Sequence, residues 1–169
     1  HVVVFKETDR FAGWPANYGI WSWDNEIVTG FFLGYHDDNK TQGHPVLKTK
    51  KTVIRQSRSV DGGKTWIIEK PSYLDQEDNE RKATPLHHAI NFEAPGFAML
   101  VRLGSANSGF STFYYSYDRC KTWNGPFLFP DFGRTAIIGR TDYIVNGKHE
   151  MLAFLASVKD NGKEGWPFV

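Results

Sequence analysis

Two histidines in a polar segment are the first side chains that could transfer protons. His36 and His44 lie in a polar, basic segment from residue 36 to residue 51, which we expect to be a long loop. Histidine titrates close to neutral pH, so both residues are candidates for general acid or base catalysis. The alternative is that they are solvent-exposed loop residues without a catalytic role.

An arginine and an aspartate form a second candidate pair on a predicted strand. Side chains alternate along a β-strand, so Arg140 and Asp142 are expected on one face. This arrangement fits either a clamp on a carbohydrate or a buried ion pair with a structural role. The sequence leaves both interpretations open.

Several classes of chemistry lack their sequence motifs. The adjacent histidines His87 and His88 are predicted to alternate across a strand, but a zinc site needs further Cys or His ligands at suitable spacing, and none follow. The chain also has no nucleophile-elbow motif, phosphate-binding loop or dinucleotide fingerprint. We therefore predict no metal site and no cofactor.

An eight-residue motif occurs twice and organises the strands around these candidates. The first copy spans residues 59–66 and the second spans residues 116–123. The residues that define the motif are Ser59, Asp61, Gly63, Thr65 and Trp66 in the first copy, and Ser116, Asp118, Thr122 and Trp123 in the second.

The motif predicts a hairpin turn with a structural role. Glycine supplies the positive φ angles that such turns need. Asp61 is expected to accept hydrogen bonds from backbone N–H groups of the turn, and the hydroxyls of Ser59 and Thr65 are expected to add others. Trp66 then brings apolar area to bury against a neighbouring sheet.

The second copy differs at one position. Cys120 stands where the first copy has Gly63. A left-handed backbone would be strained at Cys120, so we expect this turn to relax while Asp118 keeps its hydrogen bonds.

The composition and the remaining pattern predict an all-β fold. Aromatic residues make up 15% of the chain, which also has 16 glycines and 8 prolines, and no segment is a convincing long helix. Hairpin turns are predicted at Asp24-Asn25 and Asn146-Gly147, and a solvated loop is predicted between Pro71 and Pro85. The predicted strands span residues 2–6, 18–23, 26–35, 52–59, 65–70, 87–93, 97–103, 111–116, 122–129, 136–145 and 150–158.

The two motif copies resemble the Asp box, or bacterial neuraminidase repeat, of sialidase-like β-propellers. The resemblance implies a six-bladed propeller, of which this chain would hold about the first two and a half blades. Blade one would span about residues 7–70, blade two about 85–130, and the start of blade three about 135–169. A further strand and box would follow Val169, so we expect the front part of a longer protein that needs the remainder of the propeller.

The resemblance also implies where a ligand would bind. In propellers, the innermost strands and the loops at one end of the central channel form the site, which here would gather residues 10–17, 36–51, 85–91 and 134–142. The implied catalytic candidates are Asp37, His44 and Asp142. The implied substrate-binding candidates are Arg10, Trp14, Asn17, His36, His88 and Arg140.

The chain departs from the family at one site position. When the Arg-Ile-Pro motif of sialidases is aligned on Pro15, its arginine falls on Gly13. Arg10 either reaches the site from three residues earlier or is a solvated loop charge. The family's tyrosine nucleophile and its glutamate partner would come from later blades.

Three functions follow from the resemblance. The first is a sialidase-like glycoside hydrolase that acts on a sugar of a glycan. The alternatives are a non-catalytic carbohydrate-binding or scaffold propeller, and a propeller enzyme that acts on a different polysaccharide. A cluster of arginines would favour the sialidase-like hydrolase. An aromatic and uncharged channel mouth would favour the non-catalytic propeller, and a His-Tyr pair near a basic residue would favour the enzyme that acts on a different polysaccharide.

Charge and cysteine content limit the partners. The formal net charge is +1, which argues against nucleic acid as a partner, and no apolar run reaches the length of a membrane span. The single cysteine excludes an intramolecular disulfide. The family resemblance implies a carbohydrate ligand and favours a secreted or periplasmic location.

Overall fold

The computed structural model describes residues 1–71, 82–103, 110–159, 161 and 164–169. Almost all regular structure in these ranges is β-strand, which confirms the all-β prediction. The chain divides into two compact units, His1–Glu77 and Asp78–Val169. Most of the loop predicted between Pro71 and Pro85 lies outside the described residues.

The first unit is one antiparallel sheet built around a long central strand. The strand order is β1-β3-β4-β5, and β2 also pairs with β3. Strand β1 pairs with residues 32–35 of the central strand and β2 with residues 26–29, so both lie on the same edge. The elements are β1 (Arg10–Gly13), α1 (Pro15–Tyr18), β2 (Ile20–Trp23), β3 (Glu26–Tyr35), β4 (Val53–Ser59) and β5 (Ile67–Glu69).

One predicted strand of the first unit is wrong. Residues 2–6 form no strand, and Val2 and Val3 are exposed. The segment is held instead through Phe5, whose ring lies 5.2 Å from that of Phe31. A β-branched run predicts extended backbone, but it forms a strand only where a partner supplies the ladder hydrogen bonds.

The helix between β1 and β2 shortens the predicted strand that began at residue 18. Trp14 precedes α1 with a left-handed backbone, φ 53°, and Pro15 occupies the first helical turn, where its missing N–H costs nothing. Within the ranges that the structure covers, no helix is long and apolar enough to cross a membrane.

The second unit contains two sheets, which are antiparallel except for one short pair. The first has the order β6-β9-β8-β7, with β6 parallel to β9, and the second has the order β10-β11-β12. The elements are β6 (Thr84–Pro85), β7 (Ala98–Arg102), β8 (Thr112–Ser116), β9 (Asn124–Leu128), β10 (Ile137–Gly147), β11 (Glu150–Val158) and β12 (Glu164–Phe168).

Side-chain hydrogen bonds join the two sheets of the second unit. The Tyr143 hydroxyl of β10 accepts a hydrogen bond from the backbone N–H of Met99 at 3.1 Å, and the Thr141 hydroxyl accepts one from Val101 at 3.0 Å. The core beside this contact consists of the buried side chains Ile90, Phe97, Met99, Val101, Phe113 and Tyr115.

Two further predictions about the second unit are wrong. Residues 87–93 form no strand; the N–H of Phe92 donates to the carbonyl of Lys148, so this backbone bonds to a turn instead of a ladder. The β10–β11 hairpin exists, but its turn is Lys148-His149, because Gly147 still pairs with Glu150.

The first motif copy forms the predicted network of hydrogen bonds. Oδ1 of Asp61 accepts the N–H groups of Lys64 and Thr65 at 3.0 and 2.9 Å and the Ser59 hydroxyl at 2.7 Å. Its Oδ2 accepts the Thr65 hydroxyl at 2.6 Å. The pKa of Asp61 is held well below its usual range by hydrogen bonds from the Thr65 hydroxyl and N–H, and also from the Ser59 hydroxyl and the Lys64 N–H.

The second copy repeats the network. Asp118 accepts the Thr122 hydroxyl at 2.6 Å, the Thr122 N–H at 2.8 Å and the Ser116 hydroxyl at 2.8 Å. Burial acts to raise the pKa of Asp118, but these hydrogen bonds outweigh it, so the pKa is lowered. Trp123 is buried, while Trp66 of the first copy is half-buried.

The second turn keeps the left-handed backbone of the first. Gly62 and Gly63 have φ angles of 72° and 86°, and Arg119 and Cys120 have 59° and 65°. The expectation that Cys120 relaxes the turn is therefore wrong, while the expectation that Asp118 keeps its bonds is confirmed. The N–H of Cys120 still donates to the Ser116 hydroxyl at 3.0 Å.

A charged cluster connects three strands of the first unit. Arg58 of β4 donates through Nε to Glu69 of β5 at 2.6 Å and through Nη1 to Glu26 of β3 at 2.5 Å. Gln56 also donates to Glu69 at 2.6 Å. Burial acts to lower the pKa of Arg58, but the two carboxylates outweigh it and raise it.

Candidate functional site

An aromatic cluster in the first unit is the most compact group of candidate residues. The Trp14 ring lies 4.6 Å from the ring of His44, 4.8 Å from Phe32 and 5.2 Å from Phe11. Trp14 is half-buried and His44 is exposed, so part of this cluster faces solvent. We call Phe11, Trp14, Phe32 and His44 the Trp14 cluster.

Local backbone geometry places Trp14 in this cluster. The strand β1 ends at Gly13, and the left-handed conformation of Trp14 turns the chain into α1. Asn17 lies in this helix and donates its backbone N–H to the Trp14 carbonyl at 3.0 Å. The predicted binding residues Trp14 and Asn17 are therefore parts of one turn.

Arg10 lies on the opposite face of β1 from the Trp14 cluster. The register pairs Arg10 with Tyr35 and Phe11 with Gly34, so Arg10 and Phe11 face opposite sides. The guanidinium stacks on the Tyr35 ring, with its Cζ 4.3 Å from the ring centroid, and its Nε donates to the Gly34 carbonyl at 2.9 Å. The structure does not bring the two predicted substrate-binding residues Arg10 and Trp14 together.

The loop after β3 contains a histidine-aspartate pair. Nδ1 of His36 lies 2.8 Å from Oδ1 of Asp38, and both side chains are exposed, at 41% and 89%. Asp37, the predicted catalytic residue, instead accepts the backbone N–H of Asn39 at 3.1 Å and stabilises the turn. Of the two neighbouring aspartates, Asp38 is therefore the one that orients an imidazole.

A histidine and a tyrosine pair in the second unit. Nε2 of His88 lies 2.8 Å from the hydroxyl of Tyr115, and the His88 ring also contacts Phe127 edge-on at 6.1 Å. Burial, followed by the neighbouring Tyr117, raises the pKa of Tyr115. The Tyr115 phenol therefore stays protonated at neutral pH and can donate its hydrogen to His88.

The predicted pair Arg140 and Asp142 lies on the outer face of β10. Both residues are exposed, whereas Thr141 and Tyr143 point towards β7 and accept hydrogen bonds from it. The alternation predicted from the sequence is confirmed, and the interpretation as a buried ion pair is wrong. The bulge in the register between Gly139 and Tyr143 coincides with this pair.

Sequence reasoning missed several residues that form these groups. Alternation along the predicted strand 26–35 could have identified Phe32, and alternation of aromatic residues along β8 could have identified Tyr115. Phe11 had no such signal, because β1 was not predicted as a strand. No three His, Cys, Asp or Glu side chains lie close enough to hold a metal ion anywhere in the described ranges. The groups present offer aromatic surfaces, neutral hydrogen-bond donors and oriented imidazoles.

The candidate residues fall on both units. His88, Arg140 and Asp142 belong to the second, and the remaining candidates belong to the first. Comparison of the chain with protein-family models, curated proteins and solved structures gave no match.

Proposed function

We propose that this chain binds a glycan and forms part of a sialidase-like β-propeller. The observation that carries the binding proposal is the Trp14 cluster, where aromatic rings meet at a partly exposed turn and the arginine nearest in sequence, Arg10, is on the other face of β1. An aromatic, uncharged surface is the arrangement expected for the carbohydrate-binding alternative.

Two observations support the propeller. The first unit is an antiparallel sheet of the kind that forms one blade, and its strands β4 and β5 are joined by the first motif copy. The second copy joins β8 to β9 in the same way, with the same hydrogen bonds. Each copy therefore closes the hairpin on which a blade of this family would end.

The Trp14 cluster suits a sugar for a physical reason. A pyranose ring presents C–H groups on one face and hydroxyls at its edge. The Trp14 indole offers an apolar face with a polar edge, and the exposed His44 imidazole adds a hydrogen-bonding group beside it. A ligand of this type would stack on the ring and bond at its rim.

A glycan array with the chain and its Trp14→Ala variant tests the proposal. We expect Trp14→Ala to lose at least about ten-fold in affinity, because ring contacts of this kind are worth on the order of 1 kcal/mol or more beyond buried area. Trp166→Ala, at a tryptophan that is 57% exposed, is the matched control and should bind normally. Equal binding by both variants, or no glycan bound, would reject the proposal.

His44→Ala separates a binding defect from a folding defect. Because His44 is exposed, its removal should leave thermal unfolding unchanged while weakening glycan binding. A His44→Ala variant with unaltered glycan affinity would restrict the site to Trp14 and its apolar neighbours.

Glycoside hydrolysis is the second candidate, and the His36–Asp38 pair favours it. A carboxylate 2.8 Å from an imidazole fixes the tautomer and orientation of that imidazole for proton transfer. A fluorogenic sialoside assay should then show activity that Asp38→Asn lowers and that Asp131→Asn, at an exposed aspartate of the second unit, leaves unchanged. Absence of turnover with sialosides and other aryl glycosides would reject hydrolysis, and glycan binding would remain as the proposed function.

A further inference from the structure

Strand β11 of the second unit carries apolar side chains on both of its faces. Residues 151–156 include no polar side chain. An antiparallel strand with one face in water usually alternates apolar and polar residues, whereas a continuous apolar run is typical of a strand that is covered on both faces. Leu155 is buried, but Leu152 and Phe154, on the opposite face, are 42% and 40% exposed. The outer face of β11 therefore has the composition of a covered surface.

The neighbouring strand β10 extends this apolar surface. Ile144 pairs directly with Leu152 and is 52% exposed. Directly paired residues share one face of a sheet, and Phe154 shares the face of Leu152 because it is two residues further along β11. We call Ile144, Leu152 and Phe154 the outer patch. Exposed apolar side chains that cluster in this way, with polar residues around them, mark interaction surfaces.

The two ends of the outer patch carry different charges. Glu150 lies at the end beside the β10–β11 turn and accepts a hydrogen bond from the Asn146 side-chain amide at 2.6 Å, which leaves its negative charge in place. Arg140 lies at the opposite end and is exposed on the same face of β10. Asp142 is also on this face, between Arg140 and the patch. This surface therefore has a cation and a carboxylate on opposite sides of an apolar centre.

We propose that a second copy of this chain covers the outer patch and forms a dimer with two-fold symmetry. Such an interface is isologous, so the surface must complement itself. An axis that lies between the two sheets and perpendicular to the strands places Arg140 of each copy near Glu150 of the other, with the apolar side chains at the centre. The apolar contacts supply the driving force, and the two charge pairs set the orientation.

The same charges disfavour the other face-to-face arrangement. An axis parallel to the strands would place Glu150 opposite Glu150 and Arg140 opposite Arg140, and like charges in such positions repel. The proposal rests on the outer face of β10 and β11 alone, so it depends neither on glycan binding nor on the propeller. Arg140 then serves association of two copies and not ligand binding.

Sedimentation velocity of the full chain, from about 1 to 100 μM, tests the dimer. We expect a dimer whose fraction rises with concentration. Leu152→Glu should weaken association at least about ten-fold, because it buries an unpaired carboxylate in the apolar centre. Ile20→Glu, at an isoleucine of the first unit that is 69% exposed, is the matched control and should associate as the wild type does. Thermal unfolding of each variant verifies that it remains folded.

An exchange of charges tests the orientation and does not depend on the folding of Leu152→Glu. Arg140→Glu and Glu150→Arg should each weaken association several-fold, and an equimolar mixture of the two variants should restore it, because every contact then joins a cation to a carboxylate. Asp142→Asn removes a charge from the same face and should not weaken association. A chain that stays monomeric throughout, a dimer insensitive to Leu152→Glu, or a mixture no tighter than the single variants would overturn the proposal.

Discussion

The ring of Phe11 occupies the space that a side chain at residue 13 would need. A Cβ atom built on Gly13 would lie 2.5 Å from Cε1 and 2.7 Å from Cζ of Phe11, distances that real Cβ atoms do not show. Glycine at residue 13 therefore permits Phe11 to complete the Trp14 cluster. The same contact explains why an arginine does not fit at Gly13 in this packing.

Gly13→Ala should destabilise the first unit. The added methyl group forces the Phe11 ring to move away from Trp14 and Phe32, and overpacking of this kind costs about 1 to 3 kcal/mol. Chemical denaturation measures the loss. Ala12→Gly is the control, because it changes the neighbouring position of β1 without adding volume. Gly43→Ala would not serve, because the positive φ of Gly43 makes any substitution there strained.

Combining the substitution with a smaller residue at 11 supplies the sharper comparison. Phe11→Leu/Gly13→Ala should be less destabilised than the sum of the single variants, because the clash is absent once the ring is removed. Strict additivity of the two free energies would contradict the contact between residues 11 and 13.

Loss of the turn carboxylate should lower stability without altering binding. Asp118 accepts several hydrogen bonds from one turn, so Asp118→Ala leaves those donors unpaired and should cost about 1 to 3 kcal/mol. Asp61→Ala should act in the same direction. Thermal unfolding measures the stability of both variants. Their glycan affinity per folded molecule should stay unchanged. A loss of affinity in a variant that remains stable would contradict the prediction.

The same two carboxylates predict acid sensitivity. The pKa values of Asp61 and Asp118 are lowered in the folded chain from an ordinary value of 3.8, so the folded state binds their protons less readily than the unfolded state. Their stabilisation is complete above that value and is lost as the pH falls through it towards the folded-state pKa values.

Urea unfolding at a series of pH values from about 6 down to about 2.5 measures this effect, because this range includes the pH values over which the stabilisation is lost. The wild-type midpoint should fall once the pH drops below about 4. An Asp61→Asn/Asp118→Asn double variant should be less stable at neutral pH and show a flatter pH dependence. Parallel curves for the two proteins would mean that other carboxylates govern acid unfolding.

Removal of Arg58 should be among the most destabilising single changes in the first unit. The Arg58 side chain is only 9% exposed and holds Glu26 and Glu69, which are 16% and 33% exposed. Arg58→Met leaves two carboxylates without their cation, which should cost about 3 kcal/mol. Denaturant unfolding measures this, with exposed Lys70→Met as the control.

A compensated variant distinguishes charge from packing in this cluster. Glu26→Gln/Arg58→Met/Glu69→Gln removes every charge and should recover much of the lost stability, because the cost of Arg58→Met lies in the unpaired carboxylates. A triple variant as unstable as Arg58→Met would show that the packing of the Arg58 stem is what matters.

Local patterns predicted most strands of this chain and the two repeated turns. The predicted ranges 26–35 and 150–158 match β3 and β11 to the residue, because alternation and flanking turn residues define their ends. The hydrogen bonds of Asp61 are likewise local, since all of their donors lie within four residues of it.

Two failures are local, at the turn that contains Cys120 and at the turn between β10 and β11, and the others concern contacts between segments far apart in sequence. The backbone at residues 87–93 bonds to Lys148, and the Phe5 ring packs on Phe31, and neither contact is encoded in a local pattern. The same holds for the candidate site. The pattern indicated Arg10 and Trp14 as neighbours in one region, but the register with β3 sends them to opposite faces.

The burial of the Cys120 side chain has a practical consequence. This residue carries the only thiol of the chain, and its side chain is fully buried beneath the second turn. A thiol reagent can reach it only after local or global opening exposes the side chain. When reclosing is faster than labelling, the labelling rate therefore reports the free energy of that opening. The chain thus contains its own kinetic reporter, placed in one copy of the motif and absent from the other.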